Sequence, residues 1–192
     1  SDIDGSPFFE MSYSLYESYD EDDYRVIPGI FIDETSDVDG AEKTLIINKY
    51  PGGANGISTN HIKLFRASEM QLIKAEVEAR QNKLDEAEAS MFAIKEARSL
   101  STPDAVSYAS LTEALTDILA ERRRELCFEG HRFLDLKRIG KELNIGVTRD
   151  SRDCASFNAS NCELAPTSYL FTLPIPNNEL NANKTIEQNP GY

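Results

Sequence analysis

The chain contains 192 residues, of which 40% are hydrophobic and 28% are charged, and this is enough apolar material for one sizeable core or two small ones. With 33 acidic residues against 20 Lys and Arg, its formal net charge is -13, which repels a phosphate backbone and argues against nucleic acid as a partner. No stretch is apolar over the roughly 18 residues that a membrane-spanning helix needs.

Residues 1–60 form an acidic segment with 13 acidic and 3 basic residues, a net charge of -10. The segment shows little periodicity and is interrupted repeatedly by Pro and Gly. Its best strand candidates, 24–27 and 45–47, are short runs bounded by turn residues. We therefore expect residues 1–60 to be an irregular segment of loops and short strands, distinct from a helical region over residues 61–192.

Apolar side chains recur at three- and four-residue spacing after this first segment, which is typical of helices. The spacing predicts one helix over about 62–81 and a second over about 84–99, separated by a tight break at Asn82 and Lys83. The short break, and the small residues on both helices, favour an antiparallel hairpin of the tetratricopeptide type.

A longer helical pattern runs from about Leu111 to about Arg138, and we expect Gly130 to divide or bend it. The chain then continues as a long polar loop. We expect residues 170–176 to be extended, because their prolines exclude them from a central strand, and a short helix to start at 178–180. The predicted fold class is mainly α: a tetratricopeptide-like helical hairpin plus a long helix, with irregular loops and short strands.

The sequence lacks the common signatures of nucleotide binding, zinc proteases and serine hydrolases, so we predict no catalytic residue. Its three cysteines lack the paired spacing of a zinc site, and we predict neither a metal nor a cofactor. Cys154 and Cys162 lie eight positions apart in polar sequence and are candidates for a disulfide, which spacing alone does not decide. Cys127 falls in an apolar helical pattern, typical of a small buried residue.

Four tyrosines lie within twelve residues of loop-like sequence, mixed with Asp and Ser: Tyr13, Tyr16, Tyr19 and Tyr24. Rings and hydroxyls of this kind can stack on a sugar and hydrogen-bond to it. The alternative is that the rings cover the edge of the helical core, and the absence of Trp favours that alternative.

A dense charge cluster occupies residues 121–138, where acidic and basic side chains nearly balance. Such a cluster could bind an anion, or it could be an internal network of ion pairs that holds the long helix to its neighbours. The balance of charge favours the internal network. Its predicted members are Glu121, Arg122, Glu125, Arg132 and Asp135.

The same cluster carries a resemblance to a known family. Residues 121–138, ERRRELCFEGHRFLDLKR, closely resemble the ERRxEL-x-x-EGxRxxDLxR stretch of the SusD/RagB family of Bacteroidetes outer-membrane lipoproteins. Residues 64–79 look like the family's LxRxAExxLxxAEA helix. Leu173-Pro174-Ile175-Pro176 with Glu179 looks like its PIPxxE, and 188–192 like its terminal QNPGY. The four landmarks occur in the family's order.

The resemblance implies a non-enzymatic nutrient-binding protein at the surface of the outer membrane. Such a protein captures oligosaccharide, or in some members peptide, for import through a TonB-dependent SusC-like transporter. Family members are several hundred residues long, so we expect this chain to be a C-terminal part, attached to the membrane only through a lipid anchor outside it. The alternative is that this region is a scaffold that docks the transporter or the N-terminal half, with no ligand contact of its own.

Ligand contacts in this family lie on variable loops, so the resemblance assigns no binding residue here. On loop aromaticity alone, we take Tyr19, Tyr24 and Tyr50 as the candidate ligand-binding residues. The ion-pair residues of the charge cluster are interpreted as structural.

Overall fold

The computed structural model describes residues 9–27, 30–35, 44–52, 59–154 and 162–192. The first element is a single helical turn, α1 (Tyr13–Tyr16), whose start is capped by the side chain of Ser12. A 3₁₀ turn follows at Tyr24–Val26. The predicted strand over 24–27 is therefore wrong, because the Asp23 carboxylate accepts from the backbone N–H of Arg25 and turns the chain.

A two-stranded antiparallel hairpin pairs β1 (Ile32–Thr35) with β2 (Thr44–Ile47), and Ile32 lies opposite Ile47. The strand predicted at 45–47 is confirmed. Strand β1 was not predicted, since two of its four residues are Asp and Glu, which are depleted in strands. The side chains of Ile32 and Leu45 are 0% and 1% exposed, so the hairpin anchors the first segment in the core.

The helical hairpin consists of α2 (Ala67–Arg80) and α3 (Leu84–Glu96), joined by a turn in which Asn82 has a φ of 59°. Ala75, Ala79 and Ala87 are almost completely buried, which lets the two helices approach closely. The prediction of a hairpin is confirmed, with α2 starting five residues later than predicted and α3 ending three residues earlier.

The third long helix, α4 (Leu111–Glu125), starts where predicted because the Ser110 hydroxyl accepts from the backbone N–H of Glu113. It packs on both α2 and α3. The main hydrophobic cluster joins these three helices, with Leu72, Met91 and Ile118 fully buried. A second cluster links the first segment to the end of α4 through Met11, Leu15, Tyr19, Ile32, Leu45 and Cys127.

The predicted helical stretch over 111–138 is divided, and the expected break at Gly130 is confirmed. After α4 the chain turns through Phe128, with φ 62°, and Gly130, with φ 82°, before α5 (His131–Asp135). The backbone carbonyl of Glu125 accepts from Lys49 Nζ at 2.7 Å and from Arg66 Nη1 at 2.9 Å. In a continuous helix this carbonyl would accept from a backbone N–H of the next turn. Here it accepts from two side chains that come from elsewhere in the fold.

A π-helical turn at Leu136–Gly140 and the short α6 (Lys141–Leu143) follow directly on α5. Two short strands, β3 (Val147–Thr148) and β4 (Glu163–Leu164), then pair antiparallel. Among the described residues, none of the helices has the length and apolar character needed to cross a membrane.

The C-terminal tail folds back on the proline-rich segment that precedes α7 (Asn177–Ala182). Gln188 Oε1 accepts from the backbone N–H of Ile175 at 2.7 Å, and Gln188 Nε2 donates to the carbonyl of Ile175 at 3.0 Å. Asn189 Nδ2 donates to the carbonyl of Leu173 at 2.8 Å. The side-chain amides of the tail therefore satisfy backbone groups that no strand pairs.

Cys154 and Cys162 form a disulfide, with 5.9 Å between their Cα atoms. The bond closes a short loop beside the β3–β4 pair.

We expect replacement of both cysteines by Ser to lower the free energy of unfolding by about 2 kcal/mol, at the low end of the usual range because the loop is short. Urea titration of the two proteins measures the difference. A variant as stable as the parent would contradict a stabilising role for the bond.

Candidate functional site

Arg25 lies at the centre of a buried network of ion pairs between the first segment and α4. Its Nη1 donates to Glu121 Oε1 at 2.7 Å and to Glu125 Oε2 at 3.0 Å, and its Nε donates to Asp23 Oδ1 at 2.9 Å. The side chains of Arg25, Glu121 and Glu125 are 2%, 1% and 0% exposed. Three carboxylates around one guanidinium fix the position of the first segment against the helix.

Glu125 binds two further guanidinium groups. Arg98 donates to both of its carboxylate oxygens, at 2.8 and 2.9 Å, and Arg66 donates to Oε1 at 2.5 Å. Burial alone would raise the pKa of Glu125, but the hydrogen bonds and charges of Arg98 and Arg25 lower it to about 2. Glu125 is therefore a carboxylate over the whole neutral range and links α2, α3, α4 and the first segment.

The predicted network residues fall into three groups in the structure. Glu121 and Glu125 share Arg25, whereas Arg122 and Asp135 form a separate buried pair with an Nε–Oδ2 distance of 2.8 Å. Arg132 forms no ion pair with a described residue, and its Nη1 is buried without a hydrogen-bond partner. Burial, together with the nearby charge of Arg123, lowers its pKa to about 10.

The cations that hold this network, namely Arg25, Arg66, Arg98 and Lys49, were not predicted from the sequence. They come from other elements, and Arg25 lies 96 positions from Glu121. One local signal was present. Residues 19–25 resemble, weakly, a family segment in which an Asp precedes an Arg shortly before the C-terminal helices.

A buried lysine extends the network toward Cys127. Lys49 Nζ lies 2.5 Å from Glu129 Oε1 and donates to the carbonyl of Cys127 at 2.9 Å. Cys127 is 7% exposed and is not in a disulfide, and burial raises the pKa of its thiol. The expectation that Cys127 is a small buried residue agrees with this placement. A buried, protonated thiol is poorly suited to nucleophilic chemistry.

A polar cleft of about 440 Å³ opens beside the network, between the first segment and the connection from α3 to α4. Asp22 lies in its wall and accepts from the hydroxyls of Ser99, at 2.7 Å, and Ser101. The cleft is rich in carboxylate, guanidinium and hydroxyl groups and offers both donors and acceptors. We define the polar cleft by the lining residues Asp20, Asp22, Arg98, Ser101, Asp104 and Arg124.

The three candidate tyrosines lie in different environments. Tyr19 is 9% exposed, and its hydroxyl donates to the carbonyl of Arg124 at 2.8 Å, so its ring belongs to the core. Tyr24 is half-buried and does not line the polar cleft itself, but its hydroxyl accepts at 2.8 Å from Nη1 of Arg98, which does. Tyr50 is half-buried beneath Lys63, whose Nζ lies 5.0 Å from the ring centre, and it does not line the polar cleft.

Comparison with known proteins shows the family to which this chain belongs. Residues 33–192 match the model of the SusD family. The chain belongs to the SusD family. The SusD-like protein P38 of Formosa agariphila is 34% identical over 141 residues, which is 67% of this chain and 27% of that protein.

Two solved structures share the fold of this chain. One is a SusD superfamily protein of Bacteroides thetaiotaomicron, with a TM-score of 0.75 and 27% identity, over 93% of this chain and 40% of that one. The other, from Bacteroides vulgatus, is named as a sugar binding protein; its TM-score is 0.72 with 28% identity, over 94% of this chain and 39% of that one. The chain thus spans about 40% of the length of these two proteins.

Proposed function

We propose that this chain is the C-terminal part of a surface nutrient-binding lipoprotein of SusD type. Such a protein binds an oligosaccharide and passes it, without catalysis, to a TonB-dependent SusC-like transporter in the outer membrane. Membership of the SusD family supports this proposal, as does the sugar-binding name of one structural relative. The lipid anchor and part of the ligand surface would lie outside these 192 residues.

The polar cleft is the observation on which we base a ligand contact within this chain. A sugar presents many hydroxyl groups that both donate and accept, and the lining residues offer the matching mixture of carboxylate, guanidinium and hydroxyl groups. Asp20 and Asp104 are exposed, which leaves their oxygens accessible to a ligand. The buried network behind them holds Arg98 in place through Glu125.

The half-buried ring of Tyr24 contacts Arg98, one of the residues that line the polar cleft. The centre of the Arg98 guanidinium lies 5.7 Å from the centre of that ring, a cation–π contact that holds the ring next to a residue of the cleft wall. A sugar in the cleft could place a C–H face on this ring while its hydroxyls bond to the carboxylates.

We expect the double substitution Asp20→Asn and Asp104→Asn to weaken oligosaccharide binding at least tenfold, because hydrogen bonds to a charged group each contribute about 1.5–3 kcal/mol. Isothermal titration of the full-length protein, against the polysaccharide selected from a plant, host and microbial panel, measures the effect. Asp85→Asn with Glu86→Gln is the matched control, since both side chains are exposed on α3 outside the cleft. Equal affinity of the two double variants would remove the polar cleft from the ligand site.

A further inference from the structure

A second cavity lies next to the polar cleft. Its volume is about 600 Å³, and it is bounded by α4 and by the connection from α3 to α4. Residues 101–105 of that connection line the polar cleft, and residues 105–108 line the second cavity. Lys95 and Ala105 line both, so the two cavities share a wall.

Helix α4 lines both cavities along one face. Glu113, Asp117 and Ala120 line the second cavity and Arg124 lines the polar cleft, at spacings of three or four residues. Residues at this spacing lie one above the other on a helix. Glu113 and Arg124 are eleven positions apart, so at about 1.5 Å per residue this face is roughly 16 Å long. The two cavities therefore follow one another along α4, and together we call them the α4 groove.

A pair of charged side chains lies where the two cavities meet. Lys95, which lines both, donates to Asp117 Oδ2 at 2.8 Å, and the Tyr108 hydroxyl donates to the same oxygen at 2.7 Å. The side chains of Lys95 and Asp117 are 28% and 24% exposed. The pair therefore fixes α3 against α4 and leaves polar atoms accessible to a ligand that crosses from one cavity to the other.

The lining of the second cavity matches the chemistry of a sugar ring. Ser107, Thr112 and Thr116 contribute hydroxyl groups, and all three residues are exposed. Val106 and Ala120 contribute apolar surface. A sugar ring presents both hydroxyl groups and apolar C–H faces, and ligand sites typically combine apolar lining with a few polar groups.

We propose that the polar cleft and the second cavity bind successive rings of one linear oligosaccharide, which lies along α4 from Arg124 toward Glu113. The proposal rests on the proposed function, because it takes the polar cleft as the first ligand contact. A face of roughly 16 Å accommodates about three to four sugar rings in a row. The ligand class is therefore a linear glycan held through several consecutive rings, rather than a monosaccharide or a disaccharide.

Titration with oligosaccharides of increasing length tests the proposal. The probes are the disaccharide and the tetrasaccharide obtained by partial hydrolysis of the polysaccharide that the full-length protein selects from the panel. We expect the full-length protein to bind the tetrasaccharide at least tenfold more tightly, because the additional rings make contacts in the second cavity. Equal affinities would overturn the proposal and leave the proposed function standing. Binding of neither fragment nor of any polysaccharide would instead overturn the proposed function.

A bulky side chain in the second cavity separates the α4 groove from ligand contacts elsewhere in the full-length protein. Thr116→Trp places an indole in this cavity, at an exposed position of α4 where the Thr116 hydroxyl donates to the carbonyl of Thr112 in the same helix. The matched control is Ala93→Trp, at an exposed position of α3 that lines neither cavity. Ser107→Trp, on the opposite wall, is a second block that keeps the test open if Thr116→Trp fails to fold.

We expect Thr116→Trp to weaken binding of the tetrasaccharide at least tenfold and to leave binding of the disaccharide unchanged, because the disaccharide fits in the polar cleft. Ala93→Trp should change neither affinity. Circular dichroism melting of each variant shows whether it is folded. Equal tetrasaccharide affinities for the folded blocking variant and the control would overturn the proposal, as would an equal loss of both ligands in the blocking variant.

Discussion

We expect replacement of Arg25 by Ala to lower the free energy of unfolding by about 3–5 kcal/mol, the range seen when one partner is removed from a buried ion pair. Asp23, Glu121 and Glu125 all bond to this guanidinium, and none of them is more than 9% exposed at the side chain. Without Arg25, the buried carboxylates lose one of the guanidinium groups that compensate their charge. The loss is partial, because Arg124 still pairs with Glu121, and Arg66 and Arg98 still pair with Glu125. Urea unfolding followed by circular dichroism measures the loss.

The control for this prediction is Arg152→Ala. Arg152 pairs with Asp150 and Glu17 on the surface, where water and salt screen an ion pair so that it contributes little to stability. A small change for both variants would mean that Arg25 does not support the network. Arg25→Lys should give an intermediate loss, because an ammonium keeps the charge but cannot bond to three carboxylates in the geometry of a guanidinium.

The second large effect is a loss of stability in acid. The folded pKa of Glu125 is about 2, below its ordinary value of 4.5. A lowered pKa stabilises the folded state above the unfolded pKa, and the stabilisation is lost as the pH falls from about 4.5 toward 2. The contribution of Glu125 is about 3 kcal/mol, at about 1.36 kcal/mol for each pH unit.

Glu121 and Glu76 also have lowered pKa values and add to the loss of stability in acid. Burial alone would raise the pKa of each carboxyl group, but the neighbouring arginines lower the pKa by more than burial raises it. These arginines are Arg25 and Arg124 at Glu121, and Arg138 and Arg80 at Glu76.

Unfolding free energies measured between pH 7 and pH 2 should therefore fall steeply below about pH 4.5. Glu125→Gln should reduce both the stability at pH 7 and its dependence on pH. Glu96→Gln, at an exposed position of α3, should keep the parent slope. Equal slopes for the two variants would contradict the role given to Glu125.

Parts of the fold could be predicted because they depend on neighbouring residues. Apolar spacing located the hairpin of α2 and α3, and the Ser110 cap set the first turn of α4. The motif at 121–138 pointed to the family from residue order alone, and the match of residues 33–192 to the family model confirms it. The division at residue 61 stays a prediction, although Arg25 and Lys49 of the first segment bond directly to α4 and the turn after it.

The candidate site was much less predictable. Tyr19 was proposed to contact a ligand, but its hydroxyl bonds to a backbone carbonyl in the core, while the hydroxyl of Tyr24 accepts from Arg98 of the polar cleft. Arg132 belongs to the same motif as Arg122, yet Arg122 pairs with Asp135 and Arg132 does not. Residue type does not distinguish such positions, since exposure and pairing depend on which distant elements approach.

The sequence by itself therefore determined the family, the helical hairpin, the start of α4 and the general acidity of the surface. These depend on periodicity, capping and composition, which act over a few residues or over the whole chain. The sequence predicted a break at Gly130, but only the tertiary structure showed that α4 ends earlier, at Glu125, whose carbonyl accepts from Lys49 and Arg66, 76 and 59 positions away. It also decided which guanidinium each carboxylate binds, because ion pairs form between side chains that folding brings within about 3 Å, whatever their separation in the chain.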